Sequence, residues 1–416
     1  MIVFTEGLVK TNATDMYHGA LNALQNQRER FEQNPPSTVF LQRAPVHELP
    51  WNAGLPGLAR SAIREYPNLE ARVLSFTSAL YPSDEAVETA AKVITHRKRG
   101  EHDSLYVGEA GQCWAERLEL VHAFEETPRH QIKKDDVFLV TGGGQGITAA
   151  CTIALAKRTK ARFILTGRTQ PIDDPNDWPS GLPANAGLIE LRTALATQSL
   201  LRSQGTGRDR KTPKEIARLA ARLIATRSIN QTLSTIRDAG ATADYISMDL
   251  GSASGVTQAI ERIQQQYGAI TGLIHGAGVL ADRRLGDISR RDLDVVFKPK
   301  IDGLQSLLRA IPTDQLRHIG LFSSAAAQFG NAGQANYAMA NEALNAVADA
   351  LKRDRPFLNA KAFGWGPWDG GMVSNSLKAT FEARGIQTIP FHDGAELFAD
   401  AMLAELEPSI LAIGAI

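Results

Sequence analysis

The sequence predicts an α/β fold in which a doubly wound parallel sheet follows a second, smaller α/β unit. Short apolar runs alternate with amphipathic stretches of helical length along residues 137–366. The first run, VFLVTG at 137–142, is apolar up to its final threonine and glycine, as expected of a parallel strand buried on both faces. A helical stretch and a second apolar run complete a βαβ unit within about 30 residues. Alternation on this scale is typical of doubly wound sheets.

The other elements of the larger unit follow in order from this strand. ITAACTIALAKRTK at 147–160 is the first helix, and RFILTGR at 162–168 is the second strand. Later strands are predicted at YISMDL, GLIHGAG, HIGLFSS and AKAFGWG, with helices at 255–267, 290–310 and 335–353 between them. Because successive parallel strands are joined by right-handed crossovers, all of them end at one edge of the sheet, where ligands bind in such folds.

Length and composition exclude several classes of protein. The chain has 416 residues, of which 45 are basic and 45 acidic, so nothing in its net charge points to nucleic acid. No apolar run approaches the roughly 20 residues of a membrane span, and the N-terminus lacks the pattern of a signal peptide. Two cysteines, Cys113 and Cys151, exclude a disulfide framework and disfavour a metal cluster. We therefore expect a cytoplasmic protein without a metal or a membrane partner.

We predict that residues 1–130 form the smaller unit and residues 131–416 the larger one. Strand-like runs in the smaller unit are STVFLQR, EARVLSFT and SLYVGE, with helices at 14–32 and 83–98. No glycine-rich phosphate loop occurs there, so we expect a scaffold. PWNAGLPGLARSAIREYPN at 50–68 is predicted as a loop and a helix with its arginines at the surface.

Residues 169–240 interrupt the alternation as a helical insertion. Its helix begins at Thr212, with Pro213 at the first helical position and Glu215 completing a capping box. Residues 208–227 carry seven basic and two acidic side chains. Two interpretations stay open, namely a solvated helix face and a docking surface for an acidic protein partner.

The segment TGGGQGIT at 141–148 lies between a strand and a helix, where a dinucleotide-binding loop requires it. Glycines let the backbone turn tightly and approach a pyrophosphate, and the helix N-terminus offers free N–H groups and a positive dipole. The alternative is a glycine-rich turn without a ligand. The residues predicted to contact the cofactor here are Thr141, Gly142, Gly144, Gln145, Gly146 and Ile147.

Three later strand ends complete the predicted cofactor site. LTGR ends in arginine where sites for NAD place an acidic residue, and a guanidinium can pair with the 2′-phosphate of NADP. The aspartate of MDL can accept from the adenine amine, and the small residues of HGAG let the chain pass close to the nicotinamide ribose. We therefore expect NADPH as the cofactor. The predicted contacts are Arg168, Asp249, Leu250, Gly276, Ala277 and Gly278.

Four polar residues have the spacing of a ketone-reducing site. HIGLFSS ends in Ser324, Tyr337 and Asn341 lie one turn apart on the next helix, and Lys300 precedes the strand. A phenol can donate the proton that quenches the charge on a carbonyl oxygen when hydride reaches the carbon, and a nearby ammonium strengthens that acid. We expect Tyr337 to be the proton donor and Lys300 its partner. Ser324 would hold the carbonyl oxygen, and Asn341 would order the lysine and a water.

These motifs resemble the ketoreductase domains of type I polyketide synthases, within the short-chain dehydrogenase/reductase superfamily. The resemblance covers roughly 135–375 and is carried by TGGGQGIT, LTGR, MDL, HGAGVLAD, FKPKIDG, FSSAAAQFGNAGQANYAMAN and GWGPWDGGM. Most of the superfamily has lysine four residues after the tyrosine, where this chain has Asn341. The exchange with Lys300 is a trait of polyketide and fatty acid synthase ketoreductases. The insertion resembles those of polyunsaturated fatty acid, enediyne and some trans-acyltransferase synthases.

The resemblance implies a Rossmann-like catalytic subdomain after a degenerate Rossmann-like structural subdomain. It implies NADPH-dependent reduction of a β-ketoacyl thioester on an acyl carrier protein, beside ketosynthase and dehydratase domains. Asp282, Trp365 and Met372 would orient the substrate. Asp282 ends the Leu-Asp-Asp segment of B-type ketoreductases, and Phe329 replaces the tryptophan of the A type, so the expected product is the D-configured, 3R alcohol.

Two residues depart from the family pattern, and three other functions stay open. Thr148 stands where many relatives have glycine. Ala281 replaces the middle aspartate of the Leu-Asp-Asp segment, which here is Leu280-Ala281-Asp282. An NADP-dependent alcohol dehydrogenase for free ketones is disfavoured by the N-terminal unit and by a lysine that precedes the serine. A non-catalytic scaffold domain is disfavoured because tyrosine, lysine and glycine loop are all present. An isomerase or dehydratase could use the same fold.

Overall fold

Two sheets with flanking helices make up the described part of the chain. The computed structural model describes residues 1–8, 13–27, 29–30, 37–44, 48–78, 82–96, 104–121, 129–172, 178–202, 211–370, 378–379 and 386–414. Within these ranges, no helix is long and apolar enough to cross a membrane.

The first sheet has five strands in the spatial order β1-β2-β3-β4-β5. They are β1 (Ile2–Gly7), β2 (Thr38–Arg43), β3 (Ala71–Phe76), β4 (Ser104–Val107) and β5 (Cys113–Trp114). Strands β1 to β4 are parallel and β5 is antiparallel to β4. The helices between the parallel strands are α1 (Ala13–Gln25), α2 (Leu55–Glu65) and α3 (Asp84–His96). Because the strand order never reverses, these strands lack the switch point at which open α/β sheets bind ligands.

The second sheet has seven parallel strands in the order β12-β11-β10-β9-β6-β7-β8. They are β6 (Val137–Thr141), β7 (Arg162–Gly167), β8 (Thr242–Ser247), β9 (Ile270–His275), β10 (His318–Ser324), β11 (Asn359–Trp365) and β12 (Ile410–Ile413). Counted from β6, this is the 3-2-1-4-5-6 order of dinucleotide-binding sheets with one more strand. The order reverses between β6 and β9, so the carboxyl ends of these two strands border the crevice for a ligand.

Helices cover both faces of this sheet, which confirms the predicted α/β fold. They are α4 (Gly146–Thr159), α5 (Leu188–Arg202), α6 (Pro213–Asp238), α7 (Ala253–Tyr267), α8 (Arg290–Phe297), α9 (Gly303–Ala310), α10 (Ala325–Phe329), α11 (Ala335–Asp354) and α12 (Phe391–Leu403). The helix predicted around 290–310 is confirmed as continuous helical backbone, and a π-helical turn at Lys298–Asp302 lies between α8 and α9. Proline at its second position lacks the N–H that a continuous α-helix needs. Three further elements, α5, α12 and β12, were not predicted from the sequence.

Arginines of α6 hold the parts of the insertion together. The predicted capping box is confirmed, since the Thr212 side chain accepts from the Glu215 N–H and the Glu215 side chain from the Thr212 N–H. Arg222 donates to the carbonyls of Gln170 and Pro171. Arg227 donates to two carbonyls of the loop and lies over the ring of Trp178. These two members of the basic stretch therefore stabilise the insertion itself.

Helix α2 of the first unit packs directly on α11 of the second. A Cβ at Gly57 would lie 2.5 Å from the carbonyl oxygen of Ala338, and one at Gly54 would overlap the carbonyl oxygen of Met339. Apolar side chains of both units, among them Leu58 and Phe297, belong to one hydrophobic core. The close approach therefore depends on glycine and joins the two units through buried surface.

The prediction that the arginines of segment 50–68 lie at the surface is wrong for Arg60. Its side chain is 16% exposed and forms an ion pair with Glu342 of α11 at 3.2 Å. It also donates to the carbonyl oxygen of Ala327 at 2.8 Å. Arg64 is exposed, as predicted, and donates to the carbonyl oxygen of Phe329. Arg60 thus links the first unit to the segment after Ser324 and to the helix that carries Tyr337.

Candidate active site

The glycine loop between β6 and α4 has the geometry of a phosphate-binding turn. Gly142 and Gly146 have φ angles of 70° and 68°, in the region that favours glycine. Gln145 caps α4 without a side-chain hydrogen bond, so no capping side chain occupies the N–H groups of the first turn. A Cβ at Gly146 would meet nothing within 4 Å, which shows open space before the helix. The loop therefore fits the pyrophosphate of a dinucleotide.

Two other glycines near the loop are required by packing. A Cβ at Gly144 would lie 2.8 Å from Cγ1 of Ile229 on α6, and a Cβ at Gly276 would overlap Oγ1 of Thr148. Thr148 is thus accommodated because a glycine, Gly276, follows β9 opposite it. The departure from the family pattern leaves helix and strand closely packed.

The remaining predicted cofactor residues lie at the same edge of the sheet. Register places the end of β6 beside the ends of β7 and β9. Arg168 follows β7, is exposed, and forms no ion pair with a described residue. Asp249 is exposed and accepts from the Gly251 N–H at 3.0 Å, whereas Leu250 is buried. An exposed guanidinium at this position is free to meet a phosphate.

Three of the four predicted catalytic side chains meet where β10 ends. Ser324 is the last residue of β10, and its Oγ accepts from the Ala326 N–H at 3.2 Å. The side chains of Ser324 and Asn341 lie near the Tyr337 phenol and act to lower its pKa. Asn341 donates to the Tyr337 carbonyl at 2.8 Å, and its buried Oδ1 has no partner among the described residues. That oxygen can hold a water beside the phenol.

Lys300 reaches the same point from the π-helical turn. It is 3% exposed, and its Nζ donates to the Phe322 carbonyl at 2.7 Å. The ammonium lies 5.4 Å from the centroid of the Tyr337 ring. A Cβ at Gly278 would lie 2.9 Å from Cε of Lys300, so this glycine leaves room for the lysine.

Burial dominates the ionisation of this pair. It lowers the pKa of Lys300 to about 7. It raises the pKa of Tyr337, which the hydrogen bonds from Asn341 and Ser324 oppose and the negative charge of Asp282 reinforces. The phenol therefore keeps its proton at neutral pH, as a proton donor must.

The residues predicted to orient a substrate differ in their surroundings. Asp282 is exposed and accepts from Nε2 of Gln334 at 2.8 Å, three residues before Tyr337. Trp365 is buried at the end of β11, level with Ser324 in the sheet, and its indole N–H has no partner among the described residues. Met372 lies outside the described residues.

The sequence reading missed two buried polar residues that support the site. Asn336 donates to the Ala281 carbonyl at 2.9 Å and accepts from the Tyr337 N–H, so it holds the segment before Asp282 against α11. His275 contacts both Thr141 and Lys300. The sequence signal that could have identified Asn336 is its position as a polar residue directly before Tyr337. His275 was quoted only as part of HGAG.

We predict that Lys300→Met stabilises the protein in a manner that depends on pH. Because the folded-state pKa of about 7 lies below the usual value near 10.4, the unfolded chain binds more protons between these values. Wild-type stability should therefore fall as pH is lowered from about 10 to about 7 and level off below. The variant lacks this loss, so its Tm should exceed that of wild type by a margin that widens over the same range.

Differential scanning fluorimetry from pH 7 to pH 10 measures this margin. Lys298→Met is the matched control, since Lys298 lies in the same turn with a side chain that is 60% exposed. It should show no such trend. A constant difference between Lys300→Met and wild type across the range would show that the buried charge has no such cost.

The family of the chain follows from comparison with known proteins. The model of the KR domain family matches residues 137–370, which is more than half of the chain. A polyunsaturated fatty acid synthase polypeptide of Thraustochytrium sp. is 35% identical over 287 residues, covering 68% of this chain and 10% of that protein. 5-Methyl-1-naphthoate synthase of Streptomyces sahachiroi is 26% identical over 354 residues, covering 84% of this chain and 17% of that protein. The chain thus spans a small part of these relatives.

Solved structures agree in fold over nearly the whole chain. PlmKR1, the ketoreductase from the first module of phoslactomycin biosynthesis in Streptomyces sp. HK803, matches with a TM-score of 0.69 at 21% identity, covering 99% of this chain and 80% of that one. A ketoreductase domain from the bacillaene assembly line matches with a TM-score of 0.67 at 21% identity, covering 96% and 89%. The Rossmann-like α/β fold is therefore that of assembly-line ketoreductases. With the family match over the glycine loop and the Ser324–Tyr337 region, the chain belongs to the KR domain family of ketoreductases.

Proposed function

We propose that the chain reduces the β-keto group of an acyl thioester on an acyl carrier protein, using NADPH, within a polyunsaturated fatty acid or polyketide synthase. The observation that carries the proposal is a buried tyrosine that contacts Ser324 and Asn341 and lies beside Lys300. This group lies at the same sheet edge as the glycine loop. A chain with two cysteines among 416 residues fits a reducing compartment such as the cytoplasm, which we propose as its location.

The side chains divide the reduction between them. Bound NADPH supplies a hydride to the carbonyl carbon, and negative charge develops on the carbonyl oxygen. Ser324 donates a hydrogen bond to that oxygen, and Tyr337 gives it a proton, so the ketone becomes an alcohol. The protonated form of Lys300 favours the tyrosinate that remains. A water on Oδ1 of Asn341 returns the proton.

Two rival functions are weaker on the same observations. A scaffold domain would have no use for a buried lysine held beside a tyrosine, because burial of a charge is costly. An alcohol dehydrogenase for free ketones would not need a first unit that packs on the catalytic helix or a basic insertion. The carrier-bound substrate is therefore preferred.

The first functional prediction concerns the proton donor. Tyr337→Phe keeps the ring and its packing but removes the acid, so turnover of a β-ketoacyl N-acetylcysteamine thioester should fall by about 10²–10⁴-fold. The dissociation constant of NADPH, from cofactor fluorescence, should stay within about twofold of wild type. Tyr245→Phe is the matched control, since the Tyr245 hydroxyl donates to the Thr169 carbonyl. Turnover of Tyr337→Phe within a few-fold of wild type would remove the tyrosine from the reaction.

Cofactor choice is predicted to depend on Arg168. Its exposed guanidinium can form charge-assisted hydrogen bonds with the 2′-phosphate, worth about 1.5–3 kcal/mol. Arg168→Ala should raise KM for NADPH by about 10–100-fold and leave KM for NADH nearly unchanged. Arg168→Lys keeps a charge without the planar fork of the guanidinium, so its KM for NADPH should lie between those of wild type and Arg168→Ala. Equal changes for both cofactors would place Arg168 away from the phosphate.

Only some of the basic residues of the insertion are available to form the proposed docking surface for the carrier protein. Arg222 and Arg227 bind backbone carbonyls, so reversing their charge would damage the insertion as well as any dock. Lys211, Lys214 and Arg218 are exposed and remain able to meet an acidic partner. We place the carrier protein on this side, with neighbouring ketosynthase and dehydratase domains as the source and the destination of its acyl chain.

The docking prediction uses charge reversal at two of these positions. Lys214→Glu with Arg218→Glu should raise KM for a carrier-bound substrate several-fold, with a defect that shrinks at high salt, and should spare the free thioester. Lys133→Glu with Lys134→Glu, an exposed pair before the amino end of β6, is the matched control. If carrier-bound and free substrates respond alike, the dock lies elsewhere.

Product configuration is predicted to follow from Asp282. Its carboxylate is held by Gln334 beside the tyrosine, where it can limit the side from which the thioester arm enters. The product should be the D-3-hydroxyacyl thioester, which chiral chromatography measures. Asp282→Ala should lower its enantiomeric excess. A predominantly L product from the wild-type protein would refute the assignment.

A further inference from the structure

His275 lies at the carboxyl end of β9 and is fully buried. Its Nε2 lies 3.0 Å from the carbonyl oxygen of Lys300, and its Nδ1 lies 2.9 Å from Oγ1 of Thr141. Thr141 is the residue from which the glycine loop departs. One ring therefore touches both the start of the cofactor loop and the backbone of the catalytic lysine.

The direction of these hydrogen bonds is determined by chemistry. A carbonyl oxygen only accepts, so Nε2 of His275 must carry the proton. In the neutral ring, Nδ1 is then an acceptor, and the Thr141 hydroxyl must donate to it. This leaves Oγ1 of Thr141 to accept from the Ala277 N–H at 3.3 Å. Every group in this series of hydrogen bonds is satisfied in one tautomer only.

Ionisation of His275 is opposed by its surroundings. Burial, and then the positive charge of Lys300, lower its pKa to about 3. Its neighbours offer backbone carbonyls and a hydroxyl, and no carboxylate among its described partners would compensate a charge. The ring is therefore neutral at neutral pH.

Lys300 needs an anchor because of the turn that carries it. The π-helical turn Lys298–Asp302 departs from the α-helical hydrogen-bond pattern, and such turns are less regular than α-helix. The His275 ring binds the backbone of this turn, and Phe322 binds the Lys300 ammonium. Together they direct the lysine side chain past Gly278 to the ring of Tyr337.

We propose that His275 is a positioning residue that couples the glycine loop to the catalytic lysine, acting as a neutral ring with its proton on Nε2. The proposal rests on the proposed function for the role of Lys300, whereas the coupling itself does not. Through Thr141 the ring sets the start of the cofactor loop, and through the Lys300 carbonyl it sets the lysine. Displacement of the ring should therefore affect cofactor affinity and turnover separately.

Two substitutions separate the two hydrogen bonds of the ring, because each keeps one bond and removes the other. His275→Gln can place an amide N–H near the position of Nε2 and so keep the bond to Lys300. His275→Asn can place a carbonyl oxygen near the position of Nδ1 and so keep the bond from Thr141. We expect the Asn variant to lose about 100-fold in kcat with KM for NADPH near wild type, because a small displacement of a catalytic group costs this much. The Gln variant should show a several-fold higher KM for NADPH with kcat near wild type.

Tautomer and cofactor affinity are measured without turnover, so the inference and the proposed function can fail separately. In ¹⁵N-histidine spectra, the signal lost in His275→Asn should show the neutral Nε2–H form from pH 8 to pH 5. Thr141→Val should weaken NADPH binding several-fold and serves if His275→Gln does not fold. An Nδ1–H or charged ring would overturn the inference. The inference would also fail if both variants showed the same decrease in kcat and the same increase in KM for NADPH. Wild-type protein that binds NADPH with the expected tautomer but reduces no thioester would overturn the proposed function alone.

Discussion

A lysine ammonium buried beside the Tyr337 ring is the constraint on which the site depends. Burial removes the hydration of Lys300, and among the described residues its ammonium donates one hydrogen bond, to the Phe322 carbonyl. The cost of burying a charge appears as a pKa lowered to about 7. Gly278 leaves space for the side chain, and His275 holds its backbone. A strongly shifted pKa with a specific partner, next to a ligand crevice, is typical of functional sites.

The first unit holds the other half of the site in place. Arg60 pairs with Glu342, the residue after Asn341, and with the Ala327 carbonyl, three residues after Ser324. Burial raises the pKa of Glu342, and the charge of Arg60 opposes that rise. Loss of one partner of a buried pair typically costs about 3–5 kcal/mol, since the other charge is left uncompensated. A unit whose described strands lack a switch point for a ligand thus contributes to the position of Ser324 and Tyr337.

Local patterns made much of the fold predictable. The strand–loop–helix at 137–159, the capping box at Thr212 and the one-turn spacing of Tyr337 and Asn341 depend on neighbours in sequence. The structure brings Lys300 to the same point, as the family pattern implied.

Contacts between distant parts of the chain were not predictable in this way. Arg60 and Glu342 are 282 positions apart in the sequence, and His275 and Thr141 are 134 positions apart. An arginine in an amphipathic helix resembles a surface residue until its partner helix is known. The π-helical turn was missed because its residues continue the apolar period of α8 and α9, and only Pro299 signals the change.

Isotope transfer tests the central claim most directly, because it follows the hydride itself. Wild-type protein would be given a β-ketoacyl thioester and NADPH deuterated at one or the other face of C4, with the product examined by mass spectrometry. We expect one of the two cofactors to deliver a single deuterium to C3 of a 3-hydroxyacyl thioester, and the other to deliver none. A product without deuterium from either cofactor, or no product at all, would contradict the account.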